Sequence, residues 1–251
     1  MVSVYLPFLQ KNVVFYERNE LKEYLIQTLY NRANFRLIFI DEKKVFKAFF
    51  SKEWRETLFK ADILVCSSQI VSWMIKVLNG KNVPIIMPVT IFLDFMRVSD
   101  EMNYTIFLYG GDKTVIIETL KKIKKSFPGS RIVGYYRSNI KGKELEDVLT
   151  NIRKSSPQIF FVSMKSVFKQ EKWIDENRTS FMGSIVVSLD DTFWIIAGKK
   201  KMPPLWVQKN NIVGLYKTIK APYNIFRFFR IFVIFLYTVY HRFFGKDFYR
   251  R

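Results

Sequence analysis

The chain has 251 residues and carries 41 Lys+Arg against 22 Asp+Glu, a formal charge of +19. Its length suits one α/β domain with an extension or two small domains, and its apolar share of 49% excludes an intrinsically disordered chain. One cysteine, Cys66, excludes an internal disulfide framework and a cysteine-based zinc cluster, and one histidine, His241, excludes a multi-histidine metal site.

The predicted elements alternate. Strands are expected at Asn12–Tyr16, Phe35–Ile40, Asp62–Cys66, Pro84–Met87, Tyr104–Tyr109, Arg131–Tyr135, Gln158–Val162 and Ser184–Leu189. Helices are expected at Asn19–Tyr30, Glu42–Phe59, Ile70–Leu78, near Ile91–Met96, and at Lys113–Phe127, Lys143–Lys154 and Lys169–Asn177. Several strands are continuous apolar runs, as when helices cover both faces of a parallel sheet. The rhythm predicts an α/β, Rossmann-like, doubly wound and mostly parallel sheet over residues 1–201. In the helix after Gly111, Val115, Ile116, Leu120, Ile123 and Phe127 make one apolar stripe, and the lysines between them read as a solvated face.

The βα rhythm ends near Lys201, and residues 202–251 read as a basic, aromatic helical appendage with segments near Leu205–Ile219 and Tyr223–Phe244. Residues 199–251 hold twelve Lys+Arg and one acid, Asp247, a surplus of eleven within the total of +19. Such a concentration implies an anionic partner. On a helical wheel Asn224, Arg227, Arg230, Thr238, His241 and Arg242 share one arc, opposite Ile225, Phe229, Phe232, Leu236, Tyr240 and Phe243. That pattern suits a helix lying in a bilayer interface, with packing on its own domain or another subunit as the alternative. Nucleic acid is not expected, because no recognisable binding motif is found. No run of 18 uncharged apolar residues exists, and Met1–Gln10 lacks a basic start and a cleavage site. The expectation is a cytoplasmic protein, peripheral on the inner face of an anionic cell membrane.

Two strand-to-helix junctions carry polar groups. Tyr109-Gly110-Gly111-Asp112 offers close backbone approach and a helix N-terminus, both suited to a phosphate. Phe160-Phe161-Val162 leads into Phe168-Lys169-Gln170-Glu171-Lys172-Trp173, where open α/β sheets bind ligands. An ordinary solvated first turn is the plainer reading of Lys169–Glu171.

These runs, with Ser126–Tyr135 and Ala197-Gly198-Lys199 followed by Pro204 and Trp206, resemble the WecG/TagA/CpsF glycosyltransferases in order and spacing from roughly Leu37 to Arg230. The resemblance implies a Rossmann-like fold and inverting, metal-independent transfer of an N-acetylhexosamine from a UDP-sugar to a polyprenyl-diphosphate-linked sugar. UDP-sugar would then be a substrate, with no cofactor, and homo-oligomers or protein complexes are implied. Gly110, Gly111, Gly134, Lys169, Gln170 and Glu171 would bind nucleotide or substrate, and Arg227, Arg230 and Arg242 the lipid diphosphate. The sequence departs from the family pattern at its chemistry. Ser67 stands where the family has its expected catalytic Asp, Asp41 where it has an Asn, and Ile86 and Ile91 where it has an Arg and an Asp. The family's Gly-Gly-x-Phe-Asp reads Asp190-Asp191-Thr192-Phe193-Trp194. Glu171, Asp41, Asp62 and Asp190 are the remaining candidates for the base, and no metal is expected. The alternative is a catalytically inactive member serving as a membrane-associated binding or assembly subunit.

Overall fold

A computed structural model describes residues 1–32, 34–204, 207, 216 and 225–244. Its elements in chain order are β1 (Val2–Leu6), β2 (Lys11–Phe15), α1 (Arg18–Tyr30), β3 (Phe35–Ile40), α2 (Glu42–Phe50), α3 (Lys52–Phe59), β4 (Ile63–Cys66) and α4 (Gln69–Asn79). There follow α5 (Pro88–Met102), β5 (Thr105–Gly110), α6 (Lys113–Ser126), β6 (Arg131–Tyr136), α7 (Gly142–Ser155), β7 (Ile159–Ser163), α8 (Val167–Glu176), β8 (Ile185–Ser188), α9 (Thr192–Ile196) and α10 (Ile225–Phe243). Six strands form one parallel sheet in the order β4-β3-β8-β7-β5-β6, flanked by helices in a Rossmann-like arrangement. The four runs β3, β4, β7 and β8 are buried along their whole length, which is why they are apolar on both faces rather than at alternate positions, with Arg36 inside β3 and the closing Ser163 and Ser188 as their polar members.

The chain divides into two compact units. One holds Met1–Arg18, Phe39–Ile86 and Pro203–Arg251, and the other holds Asn19–Ile38 and Met87–Met202. In the first, β1 and β2 pair antiparallel as a separate hairpin. The strand expected at Asn12–Tyr16 therefore belongs to this hairpin and not to the parallel sheet. Asn79 at the end of α4 fastens the hairpin, its Oδ1 accepting the Tyr5 N–H at 2.8 Å and its Nδ2 donating to the Tyr5 carbonyl at 3.0 Å.

Three further expectations are corrected. The helix expected over Glu42–Phe59 breaks at Ser51, which leaves helical geometry at φ −124° and ψ 115°. The Ser51 N–H closes α2 on the Lys47 carbonyl, and its Oγ accepts the Trp54 N–H that opens α3. One residue thus satisfies orphan groups at both helix ends. Pro84–Met87 forms no strand; Ile86 donates one bond to the Cys66 carbonyl, and Pro84 and Pro88 have no N–H to extend a ladder. Pro88 instead begins α5 at its first turn, and that helix runs well past the Ile91–Met96 expected. The segment Leu205–Ile219 lies, but for Val207 and Tyr216, outside the described residues.

In the second unit an aromatic core fills the space beside β5, β7 and α8. Tyr109 stacks on Trp173 with ring centroids 3.9 Å apart, and Phe160 stacks on Phe181 at 4.8 Å. Gly134 has a packing reason within it. A Cβ there would sit 2.3 Å from the Phe107 ring, which is 1% exposed. Gly134→Ala should therefore cost about 1–3 kcal/mol by overpacking, read as a lowered thermal midpoint.

Candidate active site

In the second unit, polar groups collect where β5, β7 and β8 end. Gly110 and Gly111 close β5 at φ +140° and +66°. A Cβ on Gly110 would lie 1.9 Å from the Ser163 carbonyl oxygen, so only glycine lets the ends of β5 and β7 come this close. The Gly111 N–H donates to that same carbonyl at 3.0 Å, and the Gly111 carbonyl accepts both the N–H and the hydroxyl of Ser138. Asp112 then caps α6 by accepting the Val115 N–H at 2.9 Å. The Gly-Gly turn is thus built rigidly from both sides.

Ser163 is the hub of this rim. Its hydroxyl donates to the Asp190 carbonyl at 2.7 Å and accepts the Phe193 N–H at 3.1 Å, joining the end of β7 to the start of α9. Asp190 sits at φ +51°, a left-handed conformation that favours glycine. This explains locally why a glycine pattern suits the position, and makes the carboxylate there a feature of this chain.

Beneath the rim lies a buried polar chain. Gln170 and Glu171, in the first turns of α8, are both fully buried. The Gln170 Oε1 accepts the Met164 N–H at 3.0 Å, while its Nε2 donates to Glu171 Oε1 at 3.1 Å and to Asp190 Oδ1 at 3.3 Å. Glu171 Oε2 accepts from Arg36 at 2.9 Å and from the Ser188 hydroxyl at 2.9 Å. Arg36 also pairs with Asp175. Burial works against the Arg36 charge, but Glu171 and Asp175 outweigh it and hold the guanidinium above its ordinary pKa. Glu171 is therefore an ion-paired carboxylate enclosed by protein. Lys169, in contrast, is exposed on the first turn of α8, which Ser166 caps.

In the first unit a second polar set ends β3 and β4. Asp41 follows β3 and caps α2, its Oδ1 accepting the N–H groups of Lys43 and Lys44 at 3.0 Å each. Burial, reinforced by the neighbouring Glu42 charge, raises the Asp41 carboxyl above its ordinary 3.8. Ser67 follows β4, and its N–H and hydroxyl both donate to the Ile40 carbonyl, at 3.0 and 3.2 Å. The family-pattern position at 67 is thus held directly beside residues 40–41. Asp62 is exposed at the opposite, amino end of β4 and does not join them. Burial pushes the Cys66 thiol up to about 12, so it stays protonated and unreactive. Ile86 and Ile91 are buried in the cores of their respective units.

Helix α10 belongs to this unit and packs on α2 and α4. Its inward face carries Arg227, Ile234 and Thr238, all buried. Arg227 approaches Glu42, Nε to Oε1, at 3.6 Å. Tyr237 stacks on Phe49 at 4.1 Å and Phe235 on Trp73 at 5.8 Å. Phe226, Phe229, Phe232, Leu236, Tyr240 and Phe243 are exposed, as is Arg242, while Arg230 is half-buried. No helix among the described residues is long and apolar enough to cross a membrane.

Sequence reasoning missed Arg36, Ser163 and Ser188. A signal existed for each: an arginine inside an otherwise apolar strand must find a buried anion, and a serine ending such a strand faces a polar neighbour.

A parallel α/β sheet with polar turns at the carboxyl ends of its strands places the protein in the Rossmann-like class. This chain belongs to the glycosyl transferase WecG/TagA/CpsF family, whose pattern it matches over residues 8–248. It is 24% identical over 185 residues to the N-acetylglucosaminyldiphosphoundecaprenol N-acetyl-beta-D-mannosaminyltransferase of Bacillus subtilis (strain 168), covering 74% of this chain and 71% of that one. It is 28% identical over 132 residues to the protein of the same description from Bacillus spizizenii (strain ATCC 23059 / NRRL B-14472 / W23), covering 53% of this chain and 50% of that one.

Proposed function

We propose that this protein transfers an N-acetylhexosamine from a UDP-sugar to a polyprenyl-diphosphate-linked sugar, with inversion and without a metal, in cell-envelope polysaccharide synthesis. The observation that carries the reading is the family match over nearly the whole chain, together with the acceptor named for both relatives. In the step itself the acceptor hydroxyl oxygen bonds to the anomeric carbon while the bond from that carbon to the diphosphate oxygen breaks. The hydroxyl proton passes to a base, and UDP leaves with the electron pair. Asp41 is the proposed base, since a carboxyl raised above its ordinary range accepts protons more readily at neutral pH. The Gly110-Gly111 turn and exposed Lys169 are proposed to receive the nucleotide diphosphate. Of the three arginines on α10, Arg242 and the half-buried Arg230 are proposed for the lipid diphosphate, while Arg227 holds Glu42. The test is direct. Full-length protein supplied with UDP-N-acetylhexosamines and a polyprenyl-diphosphate-linked N-acetylglucosamine acceptor should form the disaccharide lipid; no turnover with any such donor rejects transfer.

One observation favours the inactive reading: Ser67, with no acidity near neutral pH, at the expected base position. UDP binding without turnover would establish that reading instead.

The protein is proposed to sit peripherally on the inner face of the cell membrane, with the aromatic face of α10 in the lipid interface. Phe232 and Phe229 are both 56% exposed. Replacing both by Glu should lower affinity for anionic vesicles about tenfold or more, since each buried Phe contributes about 1.5–3 kcal/mol. Flotation with vesicles checks this, and unchanged flotation would remove α10 from the membrane contact.

A further inference from the structure

We infer that Arg36 is a positioning residue: through Glu171 and Gln170 it fixes the Asp190 carboxylate as an acceptor of hydrogen bonds from the hydroxyl groups of a bound nucleotide sugar. The inference rests on the transfer reading above and adds to it the role of a strand residue and of a carboxylate.

The geometry runs in one direction. Arg36 is 5% exposed within β3, and its guanidinium donates to Glu171 Oε2 at 2.9 Å. A buried carboxylate needs its lone pairs filled, and Ser188 fills another at 2.9 Å. Glu171 Oε1 then faces Gln170 Nε2 at 3.1 Å. That contact, with the Met164 N–H on Gln170 Oε1, settles which way the amide points. The second Nε2 hydrogen is left for Asp190 Oδ1 at 3.3 Å. Arg36, Gln170, Glu171 and Ser188 are buried, and Asp190 is the half-exposed end of the chain.

Asp190 is also held from the backbone side. Its left-handed φ of +51° is sustained by the Ser163 hydroxyl on its carbonyl. A residue held in a sparsely populated conformation by two independent bonds, at the carboxyl end of a parallel strand, marks a ligand-facing position. A fixed carboxylate there suits hydroxyl donors of a sugar or ribose and repels a phosphate. A purely structural ion pair would need neither the amide relay nor the strained end.

The test separates support from positioning. The triple replacement Arg36→Met/Glu171→Leu/Ser188→Ala removes both charges of the fully buried pair and the hydroxyl bonded to it; only the partly exposed Asp175 loses its Arg36 contact, so a folded protein of slightly lowered thermal stability is expected. It leaves Gln170 Nε2 without its Glu171 acceptor. The expected result is a KM for UDP-sugar and a UDP Kd raised about tenfold, with kcat changed less. Asp190→Gly, which suits the left-handed backbone, should raise KM by a similar factor in the wild type and add little in the triple background, because coupled residues are not additive. Wild-type KM and Kd in the triple variant, or full additivity, would overturn the inference. Should the triple variant not fold, Arg36→Lys carries the test: it keeps the charge but loses the fork, and an unchanged KM rejects positioning. Transfer fails separately, as UDP binding without turnover, and the same Kd comparisons then still decide the role of Arg36. Absence of UDP affinity in the wild type overturns both.

Discussion

Asp41→Asn should lower transfer by about 10²–10⁴-fold, the usual worth of a general base. Asn caps a helix about as well as Asp, so the two N–H groups of α2 that Asp41 accepts remain satisfied. The loss would thus report chemistry and not the helix. Stability should move the other way. A carboxyl whose pKa is raised in the native state stabilises the fold while protonated, and that contribution is lost as the pH climbs through the native value. Asp41→Asn should therefore melt above wild type near neutral pH, with the gap closing below the ordinary value of 3.8. A sharper form of the test moves the carboxylate. Ser67 lies beside residue 41 through its two bonds to the Ile40 carbonyl. Asp41→Asn/Ser67→Asp should recover part of the rate, measured as kcat with saturating donor. Wild-type turnover in Asp41→Asn alone would exclude Asp41 as base.

Gly110→Ala should be the most damaging alanine replacement among the described glycines. The added carbon would meet the Ser163 carbonyl oxygen at 1.9 Å, and that oxygen already accepts the Gly111 N–H. Backbone cannot give way as a side chain can, and the φ of +140° is itself closed to alanine. The expected cost is about 3–5 kcal/mol, from strain added to a broken strand-end contact. Chemical denaturation measures it, and a midpoint like that of the wild type would show that β5 and β7 do not need their close approach. Gly111→Ala should be milder, since its nearest neighbour is the Val115 side chain at 2.8 Å, which can rotate.

The sequence made some features easy to read. Strands β3, β7 and β8 are apolar runs broken only by Arg36 and by the closing Ser163 and Ser188, and α6 repeats its apolar residues at helical spacing before Pro128-Gly129. Such periodicities are local and survive any tertiary context. Ser51 was not legible as a break, because one residue capping two helices leaves the apolar pattern of α2 and α3 uninterrupted. The hairpin β1–β2 was half seen, since two five-residue strands carry little pattern and its partner choice is tertiary. At the site, the Gly-Gly turn and Lys169-Gln170-Glu171 stood out by composition. What each does depends on distant partners: Arg36 and Glu171 lie 135 residues apart in sequence, and Ser163 and Asp190 lie 27 apart. Spacing along the chain cannot encode such pairs.

Helix α10 turns Arg227 toward protein and Phe226, Phe229, Phe232 and Phe243 toward solvent, so that exposed aromatic rings outnumber its one exposed arginine, Arg242. Adhesion driven by aromatic insertion is insensitive to counterions, whereas adhesion driven by surface cations weakens as ionic strength shortens the range of their fields. Vesicle attachment through this helix should accordingly persist in molar salt and on uncharged phosphatidylcholine, and the same greasy ridge should make the purified protein dependent on detergent to stay dispersed.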